Sequence, residues 1–143
     1  YTTWAPDARF VPLGMPGREL SLTEILNEHP KGRVYKPLLD PFDRYPILVD
    51  SAGQVLSMPP IINSEETKVG VGATRLFIDV TGDDIRAVSD SLALLVSDLC
   101  ELGATVRTVG IVNGDESVRT PDLAPSRRTL SPERAAKLIG VCL

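Results

Sequence analysis

Alternating apolar and polar positions mark the middle of the chain as β structure, and a helical period follows it. Ile47-Leu48-Val49 reads as a strand, Asp50-Ser51-Ala52-Gly53 as a turn by composition, and Val55-Leu56-Ser57 as the return strand of a hairpin. Pro59-Pro60 ends that pairing, since proline has no N–H to donate. Arg75 to Thr81 is rich in β-formers, and its alternation sends Leu76, Ile78 and Val80 to one face and Phe77, Asp79 and Thr81 to the other. From Asp83 or Asp84 the period lengthens: Ile85, Val88, Leu92, Leu95, Val96 and Leu99 predict a helix to about Leu102, with acid at its N-terminus as the dipole prefers.

The flanking segments are shorter. Arg9 to Leu13 reads as a strand closed by Gly14. Ser21-Leu22-Thr23-Glu24 is a capping box that opens a helix through Ile25 and Leu26, stopped by Pro30 and Gly32. Val34 to Leu39 predicts a further turn or two of helix. Val106 to Val112 reads as a strand, Asn113-Gly114 as a hairpin turn and Ser117 to Thr120 as the return. Pro121 to Pro125 reads as a linker. Ser131-Pro132-Glu133 starts a last helix, which Gly140 ends. The expected fold class is α+β, with a β-rich core and the long helix covering one face.

Composition narrows the function classes. At 143 residues the chain predicts one domain, with a fragment of a second. It opens at Tyr1 without a methionine, which predicts a piece of a longer chain. Two cysteines, Cys100 and Cys142, make neither a disulfide framework nor a metal-ligand spacing, so a reducing cytoplasm is the default expectation. No apolar run is long enough to span a membrane. A net charge of −4, with basic residues clustered only at Arg127 and Arg128, argues against a large surface that tracks phosphates. A site receiving only the end of a nucleic acid remains compatible with it.

The familiar catalytic signatures are missing. The sole histidine, His29, stands at a helix end beside Pro30 and reads as a solvated residue favoured by the dipole. Gly70-Val71-Gly72 reads as a flexible bend and Glu65-Glu66 as solvated surface. One segment stands apart: Leu56 to Asn63 is apolar, stiffened by two prolines, and carries Ser57 and Asn63. It fits a buried crossover whose polar groups bond the main chain. It equally fits a rigid apolar pocket with two aimed polar groups, to which Asp79 and Thr81 could add.

Several separated motifs in the chain resemble, in order, the B3/B4 region of archaeal and eukaryotic phenylalanyl-tRNA synthetase β subunits. They are Phe10-Val11-Pro12-Leu13-Gly14, Thr23-Glu24-Ile25-Leu26, His29-Pro30-Lys31-Gly32, Tyr45 to Asp50, Met58-Pro59-Pro60-Ile61-Ile62-Asn63-Ser64 and Phe77 to Asp84. The resemblance implies an editing domain over 1–123, without its N-terminal part, and a linker with the start of the B5 domain over 124–143. It implies a three-layer β/β/α arrangement.

The implied activity is hydrolysis of tyrosine mischarged on phenylalanine tRNA, within a ligase that charges that tRNA with phenylalanine. The resemblance places Leu48, Pro59, Pro60, Ile61, Asn63 and Asp79 in substrate binding and Ser57 and Thr81 in positioning the ester or a water, with no metal. It implies the tRNA 3′ end and a synthetase α subunit in an α2β2 assembly as partners, and ATP and magnesium as needs of the whole synthetase but not of this piece. The competing expectation is a non-catalytic structural or tRNA-docking module. A free-standing hydrolase acting in trans fits less well with a B5-like tail.

Overall fold

The computed structural model describes residues 1–125 and 127–140. Cys142 and the end of the expected B5 segment lie outside the described residues. The chain is mixed α+β with antiparallel sheets, as expected, and divides into two compact units, Tyr1–Thr81 and Gly82–Leu143.

The first unit is built on a four-stranded antiparallel sheet. Its members are β1 (Thr2–Trp4), β4 (Tyr45–Val49), β5 (Val55–Met58) and β6 (Ile62–Asn63), in spatial order β1-β4-β5-β6. A small second sheet pairs β2 (Arg9–Phe10) with β3 (Leu20–Ser21). Ser21 then caps α1 (Leu22–Glu28), its hydroxyl accepting from the Glu24 N–H while the Glu24 carboxylate accepts from the Ser21 N–H. That pair of bonds is the capping box the sequence predicts, and it holds the Glu24 carboxyl below its ordinary range. Leu22, Ile25 and Leu26 bury one face of α1. They join Phe10, Ile47, Val55, Met58 and Ile62 in the core, so the helix and the inner face of the sheet exclude water together.

α1 stops at Glu28, just ahead of Pro30, as expected, but Gly32 is no stop, because it lies inside a second helix. Pro30 is the first residue of α2 (Pro30–Tyr35), where its missing N–H costs nothing and its fixed φ suits the turn. A 3-10 turn, Lys36–Leu38, follows. Gly32 is buried, and a Cβ on it would overlap the carbonyl oxygen of Ile25, so glycine here permits the close approach of α1 and α2. His29 joins the two helices. It is 8% exposed, not solvated, and it closes α1 while its ring caps α2.

Arg75–Thr81 is not a strand. The alternation of exposure survives only from Phe77 onward, with Ile78 and Val80 half-buried and Phe77, Asp79 and Thr81 exposed, whereas Leu76, expected on the face of Ile78 and Val80, is exposed too. No backbone ladder forms among the described residues of this segment, because a strand needs a partner edge as well as β-forming residues, and the four-stranded sheet ends at β6.

In the second unit, Asp84 caps α3 (Ile85–Glu101) by accepting from the Arg86 and Ala87 N–H groups at 2.8 and 2.9 Å. β7 (Val109–Asn113) and β8 (Glu116–Thr120) form a hairpin. Its two turn residues are Gly114 and Asp115 rather than Asn113 and Gly114. Gly114, at φ 60°, takes the first central position, which suits a type II′ turn. β7 begins three residues later than expected, because its partner strand ends at Thr120 and Pro121 has no N–H to continue the ladder. α4 (Pro132–Ile139) is capped by Ser131 and ends at Gly140, at φ 79°.

Candidate functional site

A row of side chains crosses three strands on one face of the sheet. Leu48 pairs with Ser57, and Ser57 pairs with Asn63. Residues directly opposite one another share a face, so the three stand side by side. An irregularity sets this row: Val49 pairs with Val55 and Leu48 with Ser57, which leaves Leu56 as the extra residue of a bulge. The neighbouring pair, Met58 and Ile62, points to the core. One strand crossing thus buries its apolar pair and presents Ser57 and Asn63.

Between β5 and β6 the chain turns through Pro59-Pro60. Neither proline can donate, and the Ile61 N–H closes the turn on the Met58 carbonyl at 2.8 Å. The Pro59-Pro60 peptide is cis. Pro59 and Ile61 are buried, so the turn is a rigid apolar wall. Val11 to Leu13 runs along the far side of β6: the Leu13 N–H donates to the Asn63 carbonyl at 2.8 Å and the Glu65 N–H to the Val11 carbonyl at 2.9 Å. Glu65 also accepts from Lys68 and from the Gly14 N–H, and these bonds hold its carboxyl below the ordinary range.

These elements enclose an open cleft of about 210 Å³. Seven of the eight expected site residues line it: Ser57, Pro59, Pro60, Ile61, Asn63, Asp79 and Thr81. Leu48 does not. It is buried in β4 and contributes through its register with Ser57. Asp79 and Thr81 reach the cleft although their segment forms no strand, since alternation alone puts both on one side. The Ser57 hydroxyl lies 3.4 Å from the Ile62 carbonyl, to which it donates. Asn63 makes no side-chain hydrogen bond among the described residues and is exposed. The cleft therefore offers an apolar wall, two hydroxyls, an amide and a carboxylate. Among the described residues no group of three His, Cys, Asp or Glu side chains could hold a metal ion.

Ile62, inside the segment the sequence singles out but not among the expected site residues, lines the cleft as well. Three further contributors lie outside that segment. Leu13 and Lys31 line the cleft, and the phenol of Tyr1 donates to Asp79. Leu13 and Lys31 stood inside motifs that carried the resemblance, but only the pairing of Val11–Leu13 with β6 and the position of α2 bring them here. Nothing in the spacing of Tyr1 and Asp79 signals their contact.

No protein-family model matches the chain. Among curated proteins, it is 44% identical over 139 residues to the phenylalanine–tRNA ligase beta subunit of Methanosphaera stadtmanae, covering 96% of this chain and 24% of that protein. It is 46% identical over 134 residues to the phenylalanine–tRNA ligase beta subunit of Pyrococcus furiosus, covering 93% and 24%. A crystal structure of an N-terminal fragment of the phenylalanyl-tRNA synthetase beta subunit from Pyrococcus horikoshii superposes with a TM-score of 0.82 at 37% identity, over 100% of this chain and 41% of that one. The chain is a homologue of phenylalanine–tRNA ligase beta subunits and spans about a quarter of the length of the curated relatives it matches.

Proposed function

We propose that this chain is an editing domain of the B3/B4 type within a phenylalanine–tRNA ligase beta subunit, hydrolysing tyrosine wrongly esterified to phenylalanine tRNA. The observation that supports it most is the convergence of Ser57, Asn63, Asp79 and Thr81 on one cleft walled by Pro59-Pro60-Ile61. Phenylalanine and tyrosine differ by one hydroxyl, and an apolar synthetic pocket rejects an added hydroxyl poorly. A second site that pairs the hydroxyl inverts the problem, because phenylalanine would leave the pairing group without a partner.

In this reading the Pro59-Pro60-Ile61 wall holds the ring, without the direct part expected of Leu48, which stays outside the cleft. Asp79 or Asn63 reads the phenol. Ser57 or Thr81 orients the ester or the attacking water. Water adds to the ester carbonyl, the bond from the acyl carbon to the ribose oxygen breaks, and the ribose oxygen leaves with a proton. Among the described residues no side chain in the cleft is an evident general base, so positioning and aimed hydrogen bonds supply the rate. The whole ligase would charge the tRNA with phenylalanine in the cytoplasm, using ATP and magnesium, as an α2β2 assembly with a synthetase α subunit. No helix of the described residues is long and apolar enough to cross a membrane.

A second reading is a silent module that docks the tRNA, and the Tyr1–Asp79 contact favours it, since the carboxylate already has a phenol. Deacylation of tyrosyl-tRNA by the intact protein separates the two. Asn63→Ala and Asp79→Ala should each slow hydrolysis, with phenylalanyl-tRNA spared in the parent protein. Undiminished hydrolysis in both variants would overturn the editing assignment.

A further inference from the structure

The His29-Pro30-Lys31-Gly32 motif divides its labour. His29 and Pro30 build the start of α2, since the ring Nδ1 of His29 accepts from the Lys31 N–H at 3.2 Å and Pro30 fills the first helical position. Gly32 lets α2 close on the Ile25 carbonyl. Those three residues account for the local fold, and none of them needs the ammonium of Lys31. Its side chain lines the cleft and is exposed. Among the described residues it makes no ion pair, whereas Arg9, Arg18 and Lys68 each pair with a glutamate.

Among the described residues, Lys31 is the one cation lining the cleft and Asp79 the one carboxylate. A ligand that reaches both ends is favoured if it brings negative charge to Lys31 and none to Asp79. An aminoacyl ester on a nucleic-acid end has that polarity. Its amino acid is cationic at the ammonium, and its ribose carries a phosphate on the 5′ side, away from the ester. We propose that Lys31 is a binding residue for the phosphate of the terminal nucleotide, so that the cleft holds the aminoacyl group against the proline wall while Lys31 anchors the nucleotide. This rests on the editing reading above. A single cation suits a chain of net charge −4, which lacks the basic clustering needed to track a phosphate backbone.

The test uses two non-hydrolysable ligands, 3′-tyrosylamino-3′-deoxyadenosine with and without a 5′-phosphate. Calorimetry on the intact protein compares the parent with Lys31→Ala and Lys31→Arg. In the parent the phosphate should tighten binding roughly tenfold, the size of one hydrogen bond to a charged group at an open site. Lys31→Ala should abolish that gain, Lys31→Arg should keep most of it, and rising salt should erode it. The ligand without phosphate should bind all three proteins alike. If the phosphate adds nothing in the parent, or its gain survives Lys31→Ala, the assignment of Lys31 is overturned while the editing reading stands. If neither ligand binds the parent, the editing reading falls and this assignment falls with it.

Discussion

The phenol of Tyr1 donates to the carboxylate of Asp79, 2.7 Å from one oxygen and 2.8 Å from the other, across 78 positions of chain. The register of β1 on β4 explains how it gets there. Thr2 pairs with Ile47, so one more step places Tyr1 beside Leu48, at the end of the row that continues through Ser57 and Asn63. Partial burial of the phenol end, the hydrogen bond and the carboxylate charge all raise its pKa above that of an ordinary tyrosine. Its neutral form is the favoured one. The stability it contributes is complete below the ordinary value of 10.0 and is lost as pH rises through the raised value. Spectroscopic titration should show one phenol ionising above the ordinary tyrosine value, and Asp79→Ala should lower it part of the way back, leaving the share due to burial.

The same contact predicts a competition. A tyrosine ligand that needs the Asp79 carboxylate meets oxygens already engaged by Tyr1. Tyr1→Phe removes the competitor's hydroxyl and keeps its ring. Tyrosine should then bind roughly two- to tenfold more tightly, the range of about 0.5–1.5 kcal/mol that one hydrogen bond nets in water. Calorimetry with tyrosine and phenylalanine checks it: the gain should be confined to tyrosine. Equal affinity before and after would assign the reading of the phenol to Asn63 instead of Asp79.

His29 predicts a loss of stability in mild acid. Its Nδ1 must be unprotonated to accept from the Lys31 N–H. Burial lowers its pKa first, and the nearby charges of Lys31 and Arg33 lower it further. With the folded value depressed, the contribution is present above the ordinary value of 6.5 and is lost as pH falls through the folded value. Asparagine at the same position would cap the helix without titrating. Denaturant unfolding between neutral and mildly acid pH should therefore show a fall of about 1 kcal/mol, the worth of a helix cap, in the parent. His29→Asn should flatten it. A parent curve that is already flat would mean the ring does not act as the cap.

Local signals were legible where a residue's chemistry dictates its own surroundings. Ser21 and Glu24 announced a helix start, Asp50 to Gly53 a turn, and Asp83 or Asp84 the start of the long helix, which Asp84 caps, because each satisfies backbone groups within three or four positions. Non-local pairing was not legible in the same way. Arg75–Thr81 has the residues of a strand and lacks the partner, and composition carries no information about partners. His29 looked like a surface residue because its burial depends on two helices closing around Gly32. The resemblance supplied the members of the cleft, with Ser57, Asn63, Asp79 and Thr81 brought together by register and alternation. Lys31 and Tyr1 entered through tertiary contacts alone.

Gly32 is the position at which the fold and the cleft depend on the same atom. A Cβ there would overlap the Ile25 carbonyl oxygen and stand 2.9 Å from the Ile25 carbonyl carbon and 3.0 Å from the Leu26 Cα. All three neighbours are backbone of α1, buried against the sheet through Ile25 and Leu26, so none can rotate away as a side chain would. Alanine gains about 1 kcal/mol in helix propensity over glycine. Forcing the two helices apart costs more than that gain, since inserting a methyl into a packed contact typically costs about 1–3 kcal/mol and here the obstacle is main chain. Gly32→Ala should lower stability by about 2 kcal/mol in denaturant unfolding and, by displacing α2, weaken any ligand that Lys31 holds. Lys31→Ala, at an exposed site with no ion pair among the described residues, should stay within about 0.5 kcal/mol of the parent. A Gly32→Ala protein as stable as its parent would show that α1 and α2 do not need this approach, and the placement of Lys31 would then have to come from elsewhere in the fold.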